Sequence, residues 1–151
     1  MKYLFVILAL FFLPIPSMAG SDRLEMVGKD VVIDIHTKLM WQYGKSRRSF
    51  KNEADAVKYA NELHLGGYDD WRLPTLAERW DIVQIYMYKN NGDIDFPKPD
   101  TRYWTRETDK GTTAIKLDFG CMCRGDQEVE YKTKGYVRAV RGPSMVDTEG
   151  K

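Results

Sequence analysis

Histidine and cysteine are scarce in this sequence, two of each in 151 residues, and the scarcity removes most metal and redox chemistry at the outset. His36 and His64 stand alone in turn-like stretches, with no cysteine or carboxylate at metal-ligand spacing, so they do not build a zinc site. Cys121 and Cys123 are separated by a single residue. One such pair does not make the multi-bridge framework of a small disulfide scaffold. Charge of neither sign is in excess, with 23 basic residues against 22 acidic ones. That balance gives no general attraction to nucleic acid or to an anionic membrane. Long apolar runs are missing too. The longest, residues 3–13, is shorter than the roughly 20 residues that cross a bilayer. There is no internal repeat and no low-complexity tract, and nothing singles out a Ser-His-Asp triad.

What is present begins with a leader. Lys2, the apolar run and Ser17-Met18-Ala19 supply the basic, apolar and small-x-small regions of a secretory signal peptide. No cysteine follows Ala19, so a lipid anchor is not signalled. The chain is expected to divide into a signal peptide (1–19), a polar, flexible start (20–30), one folded domain (31–143) and a polar tail (144–151). The product would be exported, to the periplasm or beyond the cell, with no stable membrane span after cleavage. Aromatics make up 13% of the residues, four of them Trp. With dense loop punctuation, that points to a compact, loop-rich module.

Residues 66–75, Gly-Gly-Tyr-Asp-Asp-Trp-Arg-Leu-Pro-Thr, organise the rest. Gly66 and Gly67 stop a helix, because glycine enters left-handed backbone geometry without penalty. Pro74 denies Leu73 the helical conformation. Thr75 is the expected N-cap of the next helix, and Glu78 completes a capping box. Tyr68, Trp71 and Arg72 lie between these signals and predict an ordered, partly buried connection. Before it, Ser49 is the expected N-cap of a helix over 50–63, where Phe50, Ala54, Val57 and Ala60 follow the 3.6-residue period. After it, Leu76, Trp80, Val83 and Met87 form one stripe of a helix over 76–87. Strands are expected at 31–35, 39–43, 103–105, 114–119, 127–132 and 136–140. Residues 93–100, with Pro97 and Pro99, read as a loop. Helices and strands are segregated rather than alternating, which predicts an α+β fold.

These residues, in order, resemble the Lcl C-terminal domain family, a bacterial domain named after the Legionella collagen-like adhesin. The match rests on Leu-Gly-Gly-Tyr-Asp-Asp-Trp-Arg-Leu-Pro-Thr at 65–75, Thr-Lys-Leu-Met-Trp ending at Trp41, the first helix, Tyr-Trp-Thr around Trp104, and Tyr-Val-Arg-Ala-Val-Arg-Gly carrying Arg138 and Arg141. The resemblance implies a fold similar to C-type lectins and formylglycine-generating enzymes. Two helices would surround a small antiparallel sheet whose first and last strands pair. It also implies export, and it associates the domain with sulfated glycosaminoglycans. It brings no catalytic residue. Many members have one cysteine in the first helix and one in the last strand; Ala60 and Ala139 stand in those places here.

The remaining chemistry is sparse. Cα atoms two apart on an extended chain lie about 6.5–7 Å from each other, at the limit for a disulfide. Cys121 and Cys123 could therefore form a strained local bridge, remain free thiols, or hold a soft metal such as Cu(I) with Met122. Asp93 and Asp95 lack the glutamate that completes a calcium loop. Lys45, Arg47 and Arg48 form a basic loop that reads as solvated. Arg72, Arg138 and Arg141 either tie the Trp71 loop to acids such as Asp69, Asp70 or Asp118, or capture anions. The overall expectation is a non-enzymatic binding module without cofactor, for an anionic glycan or an envelope protein. The alternatives are a redox or copper site at the cysteine pair, and a structural envelope component.

Overall fold

The structure, a computed structural model, describes residues 22–95, 101–118 and 128–143. The leader (1–19), Pro97, Pro99, Cys121, Cys123 and the tail (144–151) lie outside the described residues. Among the described residues there are two helices and two antiparallel sheets, an α+β arrangement. The first sheet is built from β1 (Leu24–Val27), β2 (Val31–Asp34), β3 (Met40–Gln42) and β7 (Val140–Arg141), in the order β1-β2-β3-β7. The second is the meander β4 (Tyr103–Thr108), β5 (Gly111–Asp118) and β6 (Glu128–Lys132). The helices are α1 (Glu53–Asn61) and α2 (Leu76–Met87).

The β2–β3 hairpin turns on Asp34. Its carboxylate accepts from the His36 amide at 2.9 Å and the Thr37 hydroxyl at 2.7 Å, while Lys38 takes a left-handed φ of 61°. Arg23 also holds Asp34, through Nε (2.9 Å) and Nη2 (2.6 Å), and reaches on to Asp81 of α2. Burial alone would push the Asp34 carboxyl up, but hydrogen bonds from Arg23, Thr37 and the His36 amide outweigh it and hold the carboxyl below its ordinary value.

Helix α2 lies between the sheets. Ile82, Val83 and Ile85 share one core cluster with Leu24, Val32, Leu39, Trp41 and Val140 of the first sheet region and with Ile115 and Leu117 of β5. A second cluster gathers Val31, Phe50, Ala56, Ala60, Trp71, Leu73, Trp104 and Ala114 with Val137 and Ala139. Ala60 and Ala139 are both fully buried there, so apolar packing fills the places where relatives are expected to carry cysteines.

Several expectations need correction. Residues 24–27 are not part of a flexible start: Leu24 is buried and the segment pairs with β2 in full register. The cap of α1 is Asn52, whose side chain accepts from the Asp55 amide, and not Ser49. Phe50 cannot be helical because its backbone exchanges two hydrogen bonds with Gly135. The strands form two sheets rather than one. The last strand joins the N-terminal sheet through β3, with Met40 opposite Arg141 and Trp41 opposite Val140, not through the first strand. Of the expected strand 136–140, only Val140 lies in a ladder. On α2, Trp80 is only partly buried, whereas Glu78 and Arg79 are buried, because sheets flank the helix on more than one side.

Candidate functional site

The capping box of α2 forms as its residues dictate: Thr75 accepts from the Glu78 amide at 3.1 Å, and Glu78 accepts from the Thr75 amide at 2.8 Å. Glu78 is fully buried, and Arg72 meets both its oxygens at 2.8 and 2.7 Å. Arg72 Nη2 also donates to the Gly142 carbonyl, and its backbone exchanges two hydrogen bonds with Val140. The 66–75 loop is thereby fastened to Val140 and Gly142. Trp71 is buried, with its indole N–H directed at the Leu65 and Tyr68 carbonyls. Gly66 and Gly67 hold φ of 64° and 84°.

The other arginines differ from one another. Arg141 grips Asp70 through Nε (2.6 Å) and Nη2 (3.1 Å) and stacks 3.7 Å above the Tyr68 ring. The Arg141 hydrogen bonds hold the Asp70 carboxyl below its usual value. Arg138 is buried and donates to the Gly44 carbonyl and the Tyr103 hydroxyl. Of the acids suggested by sequence, Asp70 pairs with Arg141, while Arg72 is taken by the capping glutamate, Glu78. The Trp104 indole donates to the Phe50 carbonyl at 3.3 Å. The signature residues thus meet one another and the backbone.

An open depression of about 370 Å³ lies elsewhere, among Lys45, Ser49, Arg102, Lys134, Gly135 and Tyr136. Three chain segments make it. Phe50 and Gly135 exchange backbone hydrogen bonds. The Tyr136 amide donates to the Arg102 carbonyl, and the Trp104 amide to the Tyr136 carbonyl. Ser46 Oγ accepts from the Val137 amide and donates to the Arg48 carbonyl, which fixes the basic loop. Gly135 is demanded by closeness: a Cβ there would lie 2.9 Å from Ala114 Cβ and 3.1 Å from the Arg102 carbonyl oxygen. Lys45 Nζ sits 4.1 Å over the Tyr136 ring, a cation–π contact that orders an otherwise mobile ammonium.

Three cations therefore line one open concavity, and no carboxylate of the described residues lines it. Sequence spacing picked out Lys45 only as part of a basic loop. It could not find Arg102 and Lys134, because long-range backbone pairing brings them together. His36 and His64 are exposed. Among the described residues no group of three or more His, Cys, Asp or Glu is placed to hold a metal ion, and no helix is long and apolar enough to cross a membrane.

Searches of curated proteins and of solved structures return no match. A family model described as the Lcl C-terminal domain matches residues 30–141.

Proposed function

Because the chain belongs to the Lcl C-terminal domain family, we propose that it is an exported, non-enzymatic, adhesin-like module that binds anionic chains, sulfated glycans foremost, in the Lys45–Arg102–Lys134 depression. The observation that carries this reading is the convergence of three cations from three distant segments on one open surface that no described carboxylate lines. A flexible polyanion needs no deep pocket. It needs ordered cations that its sulfates can reach from water, and the attraction is then strong at low salt and screened at high salt. Tyr136 contributes by fixing the Lys45 ammonium over its ring. The signal-peptide pattern of residues 1–19 supports export. An oxidising destination favours a local bridge between Cys121 and Cys123 over a copper or redox site.

The test is retention of the full mature chain on immobilised heparin at low salt. The wild type should bind and elute with added salt. Lys45→Ala, Arg102→Ala and Lys134→Ala should each elute earlier, and the triple variant should flow through with an unchanged circular-dichroism spectrum. A wild type that flows through at low salt ends the glycan reading. Equal retention of the triple variant moves the binding surface elsewhere.

A further inference from the structure

Tyr103 carries two buried guanidiniums. Arg79 of α2 lies 4.6 Å from its ring centroid and Arg138 lies 5.0 Å from it. Only 2% of Arg79 is exposed, and its Nε and Nη2 have no hydrogen-bond partner among the described residues. Those two N–H groups form one edge of the planar fork, the edge that takes a carboxylate or another anion bidentately. Elsewhere in this chain the same edge is filled: Arg23 Nε and Nη2 hold Asp34, and Arg141 Nε and Nη2 hold Asp70. Glu78, the residue before Arg79, is already engaged by Arg72 and the Thr75 amide.

An arginine cannot escape burial by losing its proton as a lysine can. Burial foremost, and then repulsion from Arg138, lowers the Arg79 pKa to about 10, so the group stays charged at neutral pH. The face of Tyr103 offsets part of that charge but accepts nothing from the orphaned edge. A buried donor without an acceptor, on a cation that faces a second cation, is among the least favourable arrangements in a protein interior. We propose that the Nε–Nη2 edge of Arg79, between α2 and β4, is an internal binding site for one small inorganic anion, a halide or a compact oxyanion, enclosed as the domain folds. The site is separate from the surface depression and does not depend on the glycan reading.

The test compares the full mature chain at constant ionic strength in gluconate, chloride and sulfate, gluconate being too large to be enclosed. The melting temperature should rise saturably in chloride or in sulfate, by about 5 °C at ten times the dissociation constant. Whichever of the two acts identifies halide or oxyanion. The rise should persist in the Lys45→Ala/Lys134→Ala variant and vanish in Arg79→Met. In the wild type, the Arg79 Nε–H resonance should shift with the same saturation, a readout that does not depend on whether the variant folds. No rise over gluconate, a rise retained in Arg79→Met, or an unmoved Arg79 resonance would each overturn the proposal.

Discussion

Arg72 and Glu78 are joined end to end, two N–H groups against two carboxylate oxygens at 2.8 and 2.7 Å, with the glutamate entirely shielded from water. The same carboxylate closes the capping box of α2. One side chain therefore starts a helix, neutralises an arginine and, through that arginine, holds the carbonyl of Gly142. Helix initiation and the fastening of the 66–75 loop to the residues around β7 are coupled at a single group.

Glu78→Ala is accordingly expected to cost about 3–5 kcal/mol, since it leaves a charged partner uncompensated as well as removing a cap. Glu78→Gln keeps the shape and one acceptor and should cost less. Urea unfolding of both variants checks the order. A loss under about 1 kcal/mol for Glu78→Ala would show that the pair is not a structural hub.

Asp34 sets an acid limit on stability. Its carboxyl titrates below the ordinary value in the folded chain, so the unfolded chain takes up the proton first as pH falls. The stabilisation is complete above the usual aspartate range near 4 and is lost as pH drops through the lowered folded value. Urea midpoints measured from pH 6 to pH 2.5 should fall for the wild type. Asp34→Asn should start lower and show a flatter acid limb.

Gly66 and Gly67 should respond differently to alanine. Both sit at positive φ, but a Cβ on Gly66 would lie 2.8 Å from Val31 Cγ2, while one on Gly67 meets nothing within 4 Å. Gly67→Ala bears backbone strain alone, about 1–2 kcal/mol. Gly66→Ala adds overpacking of about 1–3 kcal/mol. Thermal denaturation should rank Gly66→Ala as clearly less stable; equal losses would count against the steric argument.

Tyr103→Phe removes only the hydroxyl that accepts from Arg138 Nη2 at 3.1 Å, a loss of about 1–3 kcal/mol. Tyr103→Leu also removes the ring beneath two guanidiniums and should be worse. Calorimetric melting of the two variants separates the hydrogen bond from the cation–π contribution.

Local signals read well from sequence, and long-range ones did not. Thr75, Glu78 and the glycine pair lie within a few residues of the structure they specify, so α2 and its connection could be read directly. The start of α1 could not: both Ser49 and Asn52 are good caps, and the choice depends on Phe50 being drawn into pairing with Gly135, 85 positions away. The strand at 24–27 was hidden because Glu25 and Met26 face outward at a sheet edge and interrupt the apolar pattern. The basic depression was illegible for the same reason as the Phe50–Gly135 pairing. Lys45, Arg102 and Lys134 are unremarkable singly, and backbone registers that no local period encodes bring them together.

The Arg23 clamp has a practical consequence. The family match begins at residue 30, after β1 has ended. A chain trimmed to that boundary would lose the strand that covers one side of β2, and with it the cation shared by Asp34 and Asp81. It would present a bare, β-branched ladder of unpaired amides and carbonyls, the surface on which strands of neighbouring molecules add to one another. Such a fragment should self-associate where the longer chain stays apart, so recombinant work on this domain should begin no later than residue 22.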